Sequence, residues 1–281
     1  MRLVTFSAGQ GPRAGLLVAD RVVDLTPAGY PTVLSFLEGG PQAIEAARRL
    51  ADNPGNAPKR SEVKLHAPLV PPKFICIGLN YLDHARESGL AIPSTPIVFS
   101  KYDNAVIGPG EPIEIPPVSS QVDYEAELGF VIGRKGKNIP ADRWEDYVFG
   151  YTCVHDVSAR DYQMATSQWT IGKTFDTFGP IGPELVGKDE VPDPHNLRIS
   201  LELNGKVLQD SNTSQFIFNI PALIEYLSEV MTLVPGDLVS TGTPPGVGFA
   251  RKPPVFMKPG DDVVVKIAGV GELRNPCIAG K

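Results

Sequence analysis

Short runs of β-branched and aromatic residues, each closed off by glycine or proline, recur along this 281-residue chain and restrict it to a sheet-rich fold. FICIG, TPIVFS, AVIG, IEIP, AELGFVIG, YVFGYTCVHDVS, LRISLELNG, DLVSTG and DVVVKIAG all have this form. Pro-Gly followed by an acid occurs three times, as Pro109-Gly110-Glu111, Pro235-Gly236-Asp237 and Pro259-Gly260-Asp261. Proline fixes φ at the first corner of a type II turn, and glycine supplies the positive φ at the second. The 28 glycines and 28 prolines exceed average usage and suit a chain with many reversals.

Helical patterning is confined to a few places. Residues 2–6 and 14–25 read as strands, followed by helical stretches from Thr32 and from Pro41, the latter a first-turn proline. The polar, breaker-rich segment from Asn53 to Glu62 predicts a boundary between a small N-terminal α/β domain, 1–62, and a larger body, 63–281. One amphipathic helix is predicted from Pro221 to Met231.

Lys+Arg 26 against Asp+Glu 32 gives a net charge of −6 without long single-sign runs, which argues against a nucleic-acid partner. Three cysteines without CxxC spacing imply neither a disulfide framework nor a zinc knuckle. No stretch is apolar for the ~18 residues that a membrane helix needs. The opening MRLVTFSAGQG has no apolar leader pattern, so the expected compartment is the cytoplasm.

The most informative run is Asp123-Tyr124-Glu125-Ala126-Glu127 followed by apolar LGFVIG. Strand side chains alternate faces, so Asp123, Glu125 and Glu127 share one. On a generic strand a row of acids is a solvated edge. Here the acids sit at the mouth of a run that reads as buried on both faces, where like charges need a cation. Asp156 ends a second such run; an acid there is either a helix N-cap or a further ligand. Carboxylates without His or Cys suit a hard cation, Mg²⁺ or Mn²⁺.

His84 and Glu87 are three apart in NYLDHARESG, where Asn80 can cap and Gly89 can end a short helix. A carboxylate beside an imidazole suits a general base, although such pairs are also common on surfaces. Arg160, Gln163 and the isolated Lys173 form a set able to hold a carboxylate and an oxyanion. Thr243 lies in the Gly/Pro loop STGTPPGVG, whose hydroxyls and N–H groups could grip an anion.

Taken in order, GLNYLDHARESG, DYEAELGFVIG, HDVSARDYQ, GKTFDTFGPIGP and STGTPPGVG resemble the fumarylacetoacetate hydrolase family over residues 68–270. Within it the chain is similar to the short members: acylpyruvate hydrolases, oxaloacetate decarboxylases or tautomerases, and hydroxyheptadienedioate isomerases. GKTFDTFGPIGP and RKPPVFMKPGD look closest to the subgroup called domain-containing protein 2. The resemblance implies a mixed β-roll, mostly β with some α, assembled as a homodimer. It implies Mg²⁺ or Mn²⁺ on Glu125, Glu127 and Asp156, and a His84–Glu87 dyad on a lid helix. It also implies Lys173 facing an oxyanion, with Arg160, Gln163 and Thr243 near a small 2-oxo acid or its enol. Asp123 matches no family ligand, and the extra aspartate ligand of the long animal hydrolase has no counterpart.

The reaction expected first is C–C hydrolysis of an acylpyruvate, because a dyad plus lysine is what water activation requires. Keto–enol tautomerisation or isomerisation, or decarboxylation, of a 2-oxo dicarboxylic acid such as oxaloacetate is the alternative. A catalytically idle dimeric binding protein stands outside both.

Overall fold

The structure, a computed structural model, describes every residue except Gln10 and Leu90. An 11-stranded sheet runs in the order Arg21–Asp24, Arg13–Val18, Arg2–Ser7, Gly179–Gly187, Val148–His155, Ala126–Ile132, Leu238–Ser240, Phe74–Gly78, Ile97–Lys101, with two short strands pairing off this path. A five-stranded sheet is built from Lys206–Asn212, Arg198–Leu203, Asp262–Ile267, Gly271–Ala279 and Ile113–Ile115. Most pairs are antiparallel, but Leu238–Ser240 lies parallel to Phe74–Gly78. This is the expected mixed β-roll.

All seven residues of Ala126–Ile132 are buried, as the unbroken apolar run predicts for a strand covered on both faces. Leu128, Phe130 and Ile132 pack with Ile199, Leu201, Val263 and Val265 of the second sheet. Val131, on the opposite face, packs with Phe36, Leu37, Ala43 and Ala47 of the helical segment Val33–Ala51. Each large apolar side chain buried this way contributes about 1.5–3 kcal/mol. The segment Val33–Ala51 breaks at Gly40, where φ is 53°, so its two halves match the two predicted helical stretches. Thr32 caps it by accepting from Ser35 N–H.

Strand Arg2–Ser7 pairs with Gly179–Gly187, so the first three strands extend the large sheet of the body. The Pro-Gly-acid turns share one device. Gly110, Gly236 and Gly260 have φ of 76°, 89° and 92°. In each turn the acid accepts the backbone N–H three residues earlier: Gly108 to Glu111 at 2.8 Å, Val234 to Asp237 at 2.8 Å and Lys258 to Asp261 at 2.9 Å.

Candidate active site

Strands Ala126–Ile132 and Val148–His155 pair with Ala126 opposite His155 and Glu127 opposite Val154. Continuing that register sets Glu125 opposite Asp156, whose amide donates to the Glu125 carbonyl at 2.9 Å. Glu125 and Glu127 share a strand face, and one oxygen from each of Glu125, Glu127 and Asp156 lies within 4.8 Å of the others. All three are buried, so they are not a solvated edge. Nor is Asp156 a helix cap: helix Arg160–Gln163 begins after Ala159 with no side-chain cap.

Lys173 Nζ lies 2.8 Å from both Glu125 Oε2 and Asp156 Oδ2. Arg160 donates to Asp123 at 2.9 Å, to Gln163 at 2.8 Å and to Glu125 at 2.6 Å. Asp123 stands apart from the three acids. Besides Arg160 it accepts the N–H groups of Gly248 and Phe249, at 2.7 and 2.9 Å, and so ties down a loop. Sequence reasoning missed Lys101, whose fully buried ammonium lies 2.7 Å from Asp156 Oδ1. It donates to the carbonyls of Val157, Lys173 and Phe178, and Asp156 Oδ1 receives no hydrogen bond.

Two further groups are engaged within the protein. The hydroxyls of the STGTPPGVG loop are already spent within the protein. Ser240 Oγ and Gly242 N–H donate to Glu127, Thr241 Oγ1 donates to the Leu128 carbonyl, and Thr243 Oγ1 donates to the Ala126 carbonyl. Ser240 and Gly242 of the loop thus hold the Glu127 carboxylate. Asn80 does not cap the next helix but bridges Phe218 and Thr241, with Oδ1 accepting Phe218 N–H at 2.7 Å.

The charge count decides what the cluster can hold. Asp123, Glu125, Glu127 and Asp156 face Lys101, Arg160 and Lys173, which leaves one buried negative charge unmatched. Among the described residues no cation pairs with Glu127. Burial, then the charges of Asp156 and Glu125, push its carboxyl well above the usual range. Burial would also raise Glu125, but Lys173 and Arg160 outweigh it and hold that carboxyl well below the usual range. An Asp156 oxygen that accepts no hydrogen bond, an uncompensated Glu127 and an all-oxygen donor set fit a divalent hard cation.

A cavity of about 230 Å³ opens onto these acids. Arg160, Gln163, Lys173 and Thr243 line it with the acids, and Phe99, Met164, Trp169, Val247 and Phe249 form an apolar wall. Trp169 packs against Gly78, where a Cβ would fall 2.2 Å from its ring, so only glycine fits. Helix Leu82–Ser88 brings His84 to the same cavity. His84 Nδ1 is 3.4 Å from Glu87 Oε2, and Gly89 ends the helix with φ of 64°, both as the spacing predicts.

Residues 73–278 match the fumarylacetoacetate (FAA) hydrolase C-terminal family. The chain belongs to the fumarylacetoacetate hydrolase family. It is 48% identical, over 99% of its own length and 90% of the relative's, to a mitochondrial oxaloacetate tautomerase of Xenopus laevis. It also superposes on the fumarylacetoacetate hydrolase of Exiguobacterium antarcticum with a TM-score of 0.89 at 33% identity, covering all of both chains. The maleylpyruvate hydrolase of Sphingobium sp. SYK-6, solved with manganese(II) and pyruvate, aligns over all of both chains with a TM-score of 0.83 at 30% identity. This chain is thus an enzyme of the fumarylacetoacetate hydrolase family.

Proposed function

We propose that the chain is a divalent-cation-dependent keto–enol tautomerase of a small 2-oxo dicarboxylic acid of the oxaloacetate kind. One observation carries this reading. Of the titratable groups lining the cavity, His84 alone is neither in a buried ion pair nor among the proposed cation ligands. Glu125, Asp156, Arg160 and Lys173 are locked in buried ion pairs, and Glu127 is held by Ser240 and Gly242. Hydrolysis needs an activated water and a separate oxyanion holder, and Lys173 is committed to two carboxylates instead. Moving a proton between C3 and the 2-oxygen needs one acid–base group. The Xenopus tautomerase, similar along nearly the whole chain, supports the same choice. Hydrolysis, placed first on sequence grounds, therefore gives way to its alternative.

In this reading Glu125, Glu127 and Asp156 hold the cation. When bound, it supplies Lewis acidity toward the 2-oxo acid. Glu87 orients the His84 ring through Nδ1, leaving Nε2 to take the proton from C3 and return one to oxygen. Lys173 and Arg160 hold the Glu125 carboxyl well below the usual range, so it remains available as a ligand. The apolar wall of Phe99, Trp169 and Phe249 limits water around the enol. The homodimer expected from the family is part of this proposal, and sedimentation would test it. The Xenopus relative is named as mitochondrial, so the cytoplasmic expectation is not carried further.

The experiment follows decay of enol absorbance for oxaloacetate, and cleavage of acylpyruvates, on one preparation with and without Mg²⁺ or Mn²⁺. Rapid, cation-dependent tautomerisation with little cleavage is expected. Acylpyruvate cleavage faster than tautomerisation would restore the hydrolytic reading.

A further inference from the structure

Helix Leu82–Ser88 carries His84, yet seven residues are too few to form a stable helix alone. Its position must come from docking, and two ties supply it. Near its start Ser211 Oγ donates to Asp83 Oδ2 at 2.5 Å. Near its end Gly246 N–H donates to both Glu87 oxygens, at 3.0 and 3.1 Å. The two anchors lie on different pieces of chain: Ser211 in strand Lys206–Asn212, and Gly246 in the loop after Leu238–Ser240.

One guanidinium joins those two pieces. Arg251 Nη2 donates to the Leu208 carbonyl of that strand, and Arg251 Nε lies 3.1 Å from the Gly246 carbonyl and 2.9 Å from Tyr124 Oη. Tyr124 itself donates to the Gly246 carbonyl at 3.2 Å. Gly246 has φ of 101°, and a Cβ there would fall 2.2 Å from the Leu208 oxygen. Only glycine lets the loop approach the strand so closely. Arg251 does not line the cavity.

We infer that Arg251 is a positioning residue. It clamps the Gly246 loop to strand Lys206–Asn212, and so fixes both anchors of the lid helix and the place of His84. Its effect on turnover rests on the proposed reaction; the docking itself does not.

The test replaces Arg251 by Met and reads amide hydrogen exchange of residues 85–89 without substrate. The expected result is exchange about tenfold faster, the loss of roughly one charge-assisted hydrogen bond. Strands Ala126–Ile132 and Val148–His155 keep their protection. Glu87→Ala should add little more in the double variant, because both changes break one chain of contacts, and Arg251→Lys should recover part of the protection. Unchanged lid exchange in Arg251→Met, or full additivity with Glu87→Ala, overturns the inference. If the strands also lose protection, Tyr124→Phe decides, since it removes a single hydroxyl. It should speed lid exchange about threefold, and no change in the lid overturns the clamp. A loosened lid in a protein that does not tautomerise oxaloacetate leaves the clamp standing and removes the proposed reaction.

Discussion

Glu125 and Asp156 face one another across an antiparallel pair, and the Lys173 ammonium sits 2.8 Å from a carboxylate oxygen of each. Like charges directly opposite on a sheet repel. Lys173 removes that repulsion for these two and leaves Glu127 as the acid without a cationic partner among the described residues. The site is built around that one unmatched charge.

Replacing Glu127 with Gln should therefore weaken Mg²⁺ or Mn²⁺ binding beyond the ~10–100-fold that loss of a supporting partner costs. Without cation the same variant should be about as stable as the parent, because Gln replaces a carboxyl whose charged form burial and two neighbouring acids already disfavour. Calorimetric titration and thermal melts in chelator measure both. Parental cation affinity would move the metal away from these acids.

His84→Ala should slow tautomerisation by about 10²–10⁴, the range for loss of a general acid–base group. Binding of the cation should persist, since its proposed ligands are untouched. Stopped-flow decay of enol absorbance at saturating Mg²⁺ is the measurement. A rate within twofold of the parent would mean that the proton is carried by another group.

Lys101→Met should cost about 3–5 kcal/mol of stability, the usual result of stripping one partner from a buried charge pair. Three carbonyls lose their donor and Asp156 loses its neighbour. Urea unfolding in chelator reports the difference. A loss under about 1 kcal/mol, that of an ordinary hydrogen bond, would show that water replaces the ammonium.

His195 supplies a pH dependence remote from the site. Its Nε2 accepts the Ile220 N–H at 3.2 Å, and Trp144 packs edge-on against its ring at 5.7 Å. Burial lowers its pKa against the opposing effect of Asp193. The unfolded chain thus takes up this proton first, so the stability it contributes is complete above about 6.5 and is lost as pH falls below that value. His195→Gln should flatten the fall in urea midpoint between neutral and mildly acidic pH. An NMR titration placing His195 above the ordinary value would reverse the sign.

Much of the fold was legible in the chain. Ala126–Ile132 announced itself by an apolar run with acids at its mouth, because burial on both faces leaves no place for alternation. The Pro-Gly-acid turns were legible because only glycine takes their positive φ without strain. Strand Gly179–Gly187 was not, since GPIGP reads locally as a breaker; it forms because its neighbours Val148–His155 and Arg2–Ser7 supply both ladders.

The sequence by itself determined which residues could carry the chemistry. The period of two put Glu125 and Glu127 on one strand face, and a spacing of three joined His84 to Glu87. Only the tertiary structure decided how those charges are spent. Cross-strand register set Asp156 against Glu125, and Lys101, invisible as a lone lysine in IVFSK, came beneath it from a strand 55 residues earlier. The hydroxyls of STGTPPGVG turned inward to Glu127 and the strand backbone. Local sequence fixes side-chain identity and periodicity, but pairing of charges separated by tens of residues depends on sheet order, which no local pattern encodes.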